Sequence, residues 1–345
     1  MIDLRSDTVT RPTAAMLEAM FAAQVGDDVF EEDPAVLALE AQAAALFGME
    51  AALFCASGTM TNQIGIRALT QPNDEIICDR LSHIYNYEGG GLASNSLLSV
   101  RLLEGNRGRI TAEQIVENIN PDNIHFPASR LVALENTVNK GGGCYYRLAD
   151  IAKIHEACRA HGLLLHLDGA RIFNALVATG ERAQDYGQYF DSISICLSKG
   201  LGCPVGSLLL GSRRLIAKAK RIRKVMGGGW RQAGYLAAAG LYALEHHVER
   251  LEEDHRRARQ IAEVLKDCYF VESLLPVDTN IVLATLKVPY QAEQIAALLA
   301  EAGVRVSTFG KKAIRMVTHL DFSDEALQKL LQTLQPWAQP AAQAL

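Results

Sequence analysis

Nowhere in the 345 residues is there an apolar run near the roughly 20 residues that a helix needs to cross a bilayer, so no membrane span is expected. An excess of positive charge is also missing. The 34 Lys and Arg against 39 Asp and Glu leave a formal net charge of −5, which offers no basic field for nucleic acid or an anionic membrane surface. The seven cysteines include no CxxC pair. A scattered, odd-numbered set reads as reduced, buried thiols rather than a disulfide framework or a zinc site. Glycine triplets at 89–91, 141–143 and 227–229 fall in no GxGxxG or GxxxxGK[ST] frame, which leaves nucleotide binding unsupported. The acidic stretch 27–33 lacks the frame and the glycine of an EF-hand calcium loop. His246, His247 and His255 belong to a charged helical stretch, and no metal is expected. The first residues, MIDLRSDTVT, carry charges where a secretory leader has an apolar core, and a cytoplasmic location is the default expectation. No internal repeat or low-complexity segment is present.

What is present is alternation. Short apolar runs with strand character occur at 50–57, 75–79, 130–135, 162–168, 192–198 and 206–211. Amphipathic helical stretches lie between several of them, such as 148–162. The runs are apolar on both faces, as strands buried between two helical layers are. The expected fold is α/β, with a large, mostly parallel sheet. Beyond Gly229 the pattern predicts a long helix over 232–265. A strand at 279–286, a helix at 291–303, strands at 304–308 and 313–319, and a last helix capped by Ser323 follow. Together these predict a small C-terminal α+β unit. The extended N-terminal piece has no evident sheet partner.

In an open parallel sheet, ligands bind beyond the carboxyl ends of the strands, and the unusual polar residues collect at those ends. Ser57-Gly58-Thr59 follows the first run, and at a strand-to-helix turn such residues offer N–H groups and hydroxyls to a phosphate; turns use the same residues for themselves. His83 follows the second run, and a lone histidine is more often an ordinary core or surface one. Asp168 ends the fourth run; it either caps the next turn or pairs with a protonated pyridinium nitrogen. Arg171, three residues on, is a plain surface charge or a bidentate carboxylate clamp. Lys199 ends the fifth run. Most strand-end lysines simply reach solvent, but an amine on a site rim is also what imine formation requires. An acid, a lysine, an arginine, a histidine and a hydroxyl-glycine turn on one rim point to a single site.

Read in order, IDLRSDTVTRPT (2–13), VGDDVFEEDP (25–34), EAALFCASGTMTN (50–62), HIYNYEGGG (83–91), HLDGARIFNA (166–175), CLSKGLGCPVGS (196–207), GGGWRQAG (227–234) and RMVTHLD (315–321) span nearly the whole chain. Together they resemble the low-specificity L-threonine aldolases of the β-eliminating lyase superfamily, pyridoxal 5'-phosphate enzymes of fold type I. The resemblance implies an aspartate-aminotransferase-like fold in three parts. These are an extended segment 1–13 that contributes to the active site, a large cofactor domain 14–245 and a small C-terminal domain 246–345. It implies cleavage of the Cα–Cβ bond of L-threonine and L-allo-threonine to glycine and acetaldehyde. By the same resemblance Lys199 is the Schiff-base lysine, Asp168 the pyridinium partner, and Ser57, Gly58 and Thr59 phosphate binders. His83 is stacked on the cofactor ring, and Ser6, Arg171 and Arg315 are the substrate-carboxylate site. Arg231 is a phosphate contact from a neighbouring subunit, with Lys224 a weaker candidate there, and His125 lies near the substrate β-carbon. His83, His125, Glu88 or a water between them is the catalytic base.

The resemblance further implies a homotetramer, a dimer of dimers with shared active sites, acting in threonine breakdown or glycine supply. A β-eliminating lyase or aminotransferase of other specificity, and a non-catalytic regulator on the same fold, are the alternatives. Cys203, close in sequence to Lys199, is expected to make the protein thiol-sensitive. Replacing Lys199 with Ala is expected to abolish the cofactor's visible absorbance band and to reduce turnover severely. Absorbance spectra with product assays check this, and near-normal activity would remove Lys199 from the role.

Overall fold

The structure, a computed structural model, describes residues 1–338. Its strands, in chain order, are β1 (Ile2–Asp3), β2 (Ala51–Cys55), β3 (Glu75–Asp79), β4 (Ser99–Leu103), β5 (Ser129–Glu135), β6 (Leu164–Gly169) and β7 (Ser192–Cys196). They continue with β8 (Ser207–Gly211), β9 (Val271–Leu274), β10 (Ile281–Leu286), β11 (Val304–Arg305), β12 (Ser307–Thr308) and β13 (Ala313–Val317). Seven of them form one sheet in the order β2-β8-β7-β6-β5-β3-β4. Only β8 runs against its neighbours; the other pairings are parallel. Every residue of β3, β7 and β8 is buried, which is why their sequences are apolar without alternation.

The pairing register aligns the carboxyl ends. Glu135 lies opposite Asp168, and Asp168 lies opposite Ser194 on β7. Lys199 follows β7 by three residues. A second sheet, β12-β13-β10-β9, is antiparallel and belongs to a separate core built from residues such as Ile261, Phe270, Val282, Met316 and Leu330. No helix among the described residues is long and apolar enough to cross a membrane.

Several features differ from the sequence expectation, the unforeseen edge strand β9 of the small sheet among them. The edge strand β4 was not foreseen, because its residues are largely solvent-accessible and so carry little apolar signal. The N-terminal piece does have a partner: β1 pairs in parallel with β11, Ile2 against Val304, and Ile2 and Leu4 pack into the C-terminal core. The 304–308 run is therefore two strands, β11 serving β1 and β12 serving β13.

The predicted long helix is two, Gly234–His246 and Leu251–Leu265. A single rod over 232–265 would span roughly 50 Å and could not serve both cores. The first helix packs its Ala237, Ala239 and Ala243 into the large core, and the second places Ala258, Ile261 and Leu265 in the small one. His247 marks the break and binds the Leu201 carbonyl oxygen through Nδ1 at 2.7 Å.

The acidic stretch 27–33 is structural. Asp33 caps the helix Pro34–Leu46, and its buried carboxylate accepts from the backbone N–H groups of Ala35, Val36, Gly26 and Gly234. Asp33→Ala leaves these donors without their acceptor. A lost cap and two further unsatisfied buried donors should cost about 3 kcal/mol, read as a lower urea midpoint, with Asp33→Asn recovering part of the loss.

Candidate active site

The strand ends converge on a cavity of about 360 Å³ whose walls include Ser6, His83, Arg171, Lys199 and Arg315. Larger hollows of about 600 and 880 Å³ lie elsewhere, but neither has Lys199, Asp168 or His83 in its wall. Lys199 enters from the turn after β7, its Nζ 3.4 Å from the Sγ of Cys196. Cys203, in contrast, is a closed thiol. It is 2% exposed, and burial pushes it up to about 12, so a thiol-blocking reagent meets no reactive group there. The sulfur beside Lys199 is that of Cys196.

Asp168 is buried at the end of β6. Its Oδ1 accepts from the Ala170 N–H at 3.2 Å, while Oδ2 is buried with no donor among the described residues. An ionised acceptor left bare in this way is costly, and a protonated ring nitrogen is the kind of donor it lacks. Ser57 caps the helix Gly58–Leu69, its Oγ accepting from the Met60 N–H. The N–H groups of Gly58 and Thr59 have no partner among the described residues and stand at the positive end of the helix, where an anion could be held. Glycine is required at 58, because a Cβ there would lie 2.4 Å from the Cys196 Sγ.

His83 opens a short helix, His83–Asn86. Its backbone N–H donates to Glu135 Oε2 and its Nδ1 lies 2.9 Å from Glu88 Oε1. Burial pulls the imidazole down, but the Glu88 hydrogen bond and the charges of Asp168, Glu88 and Glu135 outweigh it and hold the pKa above the ordinary value. Glu135 is raised to about 7 by its own burial and by Asp168. It brackets the site by accepting backbone N–H groups from both His83 and Asn139. His83, Glu88 and Asp168 offer oxygen or nitrogen atoms within 4.8 Å of one another. Glu88, however, is already engaged by Asn62, Gln63 and His83, which speaks against a metal there.

A model of the β-eliminating lyase family matches residues 3–289. The chain belongs to this family. Low-specificity L-threonine aldolase of Escherichia coli K12 is 44% identical over 333 residues, covering 96% of this chain and 97% of its own. The enzyme of that name from Candida albicans is 39% identical over 334 residues, covering 95% and 87%. A solved threonine aldolase from Leishmania major superposes with a TM-score of 0.86 at 19% identity, covering 98% of this chain and all of its own. Serine palmitoyltransferase from Sphingomonas wittichii superposes at 0.74, also at 19% identity, covering 97% and 86%. The expected aspartate-aminotransferase-like architecture is thus the one observed, and fold likeness at such identity does not by itself select a reaction.

In this β-eliminating lyase the expected carboxylate site contains a residue that sequence reasoning missed. Asp7 is fully buried and grips Arg171 through two hydrogen bonds of 2.7 Å, to Nε and Nη2. Arg171 is therefore not a free clamp: one edge of its guanidinium is committed. Burial alone would raise the Asp7 carboxyl, yet Arg171, Lys199 and Arg315 hold it at about 2.

Arg315 donates to Asn139 Oδ1 at 2.6 Å and to the Arg5 carbonyl oxygen at 3.1 Å, and its Nε is buried without an acceptor among the described residues. Burial and the neighbouring Arg171 charge draw its pKa down to about 10. Two crowded cations and a bare N–H describe a place for an anion. Ser6 stands at the same wall, its Oγ accepting from the Thr8 N–H. The SDTVT segment, conspicuous at the start of the chain, was the available signal for Asp7, but nothing in it named Arg171 as partner.

Three expected residues do not reach this cavity within the chain. Arg231 is exposed and pairs with Asp27. Lys224 lines the 600 Å³ hollow instead. His125 lies exposed in the loop before β5, at the amino edge of the sheet, opposite the rim that carries Lys199.

Because Asp7 ionises near 2 in the fold against an ordinary 3.8, its contribution is complete above about pH 4 and is lost as pH falls toward 2. Asp7→Asn leaves a buried guanidinium unpaired and should cost about 3 kcal/mol at pH 7. Urea midpoints across a pH series should show the deficit shrinking below pH 4.

Proposed function

We propose that this β-eliminating lyase cleaves the Cα–Cβ bond of L-threonine and L-allo-threonine, yielding glycine and acetaldehyde, with pyridoxal 5'-phosphate as cofactor. The observation that carries the reading is the near-full-length likeness to low-specificity L-threonine aldolases, joined to a cavity lined by Lys199 and His83, with a carboxylate oxygen of Asp168 within 4.8 Å of a His83 ring nitrogen.

The residues present fit the cofactor. The Lys199 amine would bind its aldehyde, the bare Oδ2 of Asp168 its ring nitrogen, and the turn Ser57-Gly58-Thr59 its phosphate, with His83 against the ring. When bound, pyridoxal 5'-phosphate supplies an electron sink for the pair released from the Cα–Cβ bond. Arg315, with its unpaired Nε, holds the substrate carboxylate together with Ser6 and the uncommitted edge of Arg171. Because Asp7 fixes Arg171, the carboxylate meets a preset surface and the reacting bond is held in one orientation. His83 takes the β-hydroxyl proton. Glu88 is shut behind it, accepting from three donors, and His125 lies outside the cavity of its own chain. Asp168 and Glu135 help keep the His83 proton in place until the aldehyde leaves.

The assembly completes the site. Phe21, Phe30 and Ile124 are large apolar side chains left 83, 70 and 98% exposed, a burden that a partner surface relieves. A homotetramer with shared active sites accounts for Arg231, Lys224 and His125, each brought to a neighbouring subunit's cavity. The chain then divides into an N-terminal segment 1–13, a cofactor domain 14–245 and a small domain 246–345. The enzyme acts in the cytoplasm, in threonine breakdown or glycine supply.

The test is incubation with pyridoxal 5'-phosphate and each threonine isomer, quantifying acetaldehyde and glycine. Both products are expected in equal amounts, and His83→Phe is expected to slow their release about 10²–10⁴-fold. A keto acid with ammonia would instead mark β-elimination, and pyridoxamine phosphate an aminotransferase; either would overturn the proposal.

A further inference from the structure

We propose that Glu88, clamped by the side-chain amides of Asn62 and Gln63, is a positioning residue that keeps His83 protonated on Nδ1 and so presents Nε2 as the free lone pair of the site. The proposal rests on the reading of His83 as the proton acceptor and assigns what sets its chemistry.

An ionised carboxylate carries no proton, so every group bonded to it must donate. The Glu88 side chain is wholly shielded from solvent and takes Asn62 Nδ2 at 2.9 Å, Gln63 Nε2 at 2.6 Å and His83 Nδ1 at 2.9 Å. The direction of each bond then propagates. With its nitrogen on Glu88, Asn62 turns its oxygen to His166 Nε2 at 3.1 Å, so that nitrogen bears the hydrogen. His166 Nδ1 is left to accept from Ser192 Oγ at 2.7 Å. Burial draws His166 to about 4, so it is neutral and carries the single N–H this arrangement requires. Gln63, likewise, turns its oxygen to Asn95 Nδ2 at 3.2 Å. Gly91 leaves room for that amide, since a Cβ there would come within 2.4–2.8 Å of it. From Asn95 to Ser192, each donor and acceptor is oriented by one buried negative charge.

His83 is the network's outlet. Its main-chain N–H is tied to Glu135 and its Nδ1 to Glu88. The nitrogen that loses its proton first is therefore Nε2, on the ring edge left partly open at the cavity. Replacing Glu88 by Gln keeps the shape but removes the charge, and it introduces an NH₂ that must face one of the existing donors. The Nδ1–H preference is then lost.

The groups that face His83 are Glu88 and Tyr87 from its own segment, Glu135 from β5 and Asp168 from β6. Opposing them are the cations Lys199, Arg171 and Arg315, which share the cavity. Burial favours the neutral ring and the acids outweigh it. Loss of the Glu88 charge should therefore move the His83 midpoint down.

The experiment measures carbethoxylation of His83 against pH by peptide mass spectrometry, on the full-length protein without added cofactor. The wild-type midpoint is expected above the ordinary histidine value of 6.5. In Glu88→Gln it should fall by about one pH unit, while Glu88→Asp, which keeps the charge, should recover at least half of that shift. The acidic limb of kcat/KM for threonine should move by the same amount.

A wild-type midpoint at or below 6.5 overturns the proposal even if Glu88→Gln fails to fold. So does an unmoved midpoint in a folded Glu88→Gln, or a turnover loss equal at every pH. Because the chemical titration needs no turnover, it stands whether or not threonine is the substrate.

Discussion

The parallel register of β5, β6 and β7 sets everything that happens at the rim. Pairing Glu135 with Asp168 and Asp168 with Ser194 brings the strand ends abreast, so the acid that ends β6 and the lysine that follows β7 belong to one rim of the sheet. A slip of one residue would turn Asp168 to the other face of the sheet and take its carboxylate away from His83. That register is secured by strands buried on both faces, where a slip would also displace the packed side chains of both helical layers. The chemistry is therefore held by the core and not by the loops that carry it.

On this frame, charge is arranged with little help from solvent. Arg171 and Arg315 are buried cations in one cavity, and such a pair is stable only with a fixed counter-charge. Asp7 provides it from the N-terminal segment, which is itself held by β1 pairing with β11 and by Ile2 and Leu4 in the C-terminal core. Asn280 of β10's leading edge reaches the same carboxylate at 3.4 Å. Three distant parts of the chain thus meet at one carboxyl group. What remains uncompensated, the Nε of Arg315 and the Oδ2 of Asp168, marks where an anion and a cationic donor belong.

Much of this was legible in the residues, and the failures have physical causes. Six strands of the large sheet were readable because burial on both faces makes them continuously apolar. β4 was not, because an edge strand need not be apolar. The break at His247 was hidden because both helices are individually regular, and only the need to serve two cores separates them. Lys199, Asp168, His83 and the turn at Ser57 were found because strand ends are where a doubly wound sheet gathers ligands. Asp7 was missed because its meaning lies in a partner 164 positions away. Glu88 was one of the candidate bases, and only its three donors reveal a carboxylate already engaged. Cys203 drew attention through proximity in sequence, whereas side-chain direction puts Cys196 beside the amine.

The sequence by itself determined six strands of the large sheet, the polar residues at their ends and which family the chain joins. All of these depend on local composition and on ordered motifs that a linear text contains. Tertiary structure alone decided which oxygen is left bare, which arginine edge is occupied, which histidine is backed by a carboxylate and which expected residues fall outside the cavity. Those outcomes turn on distances of a few ångströms between segments remote in sequence, where burial decides whether a charge is stabilised or stranded.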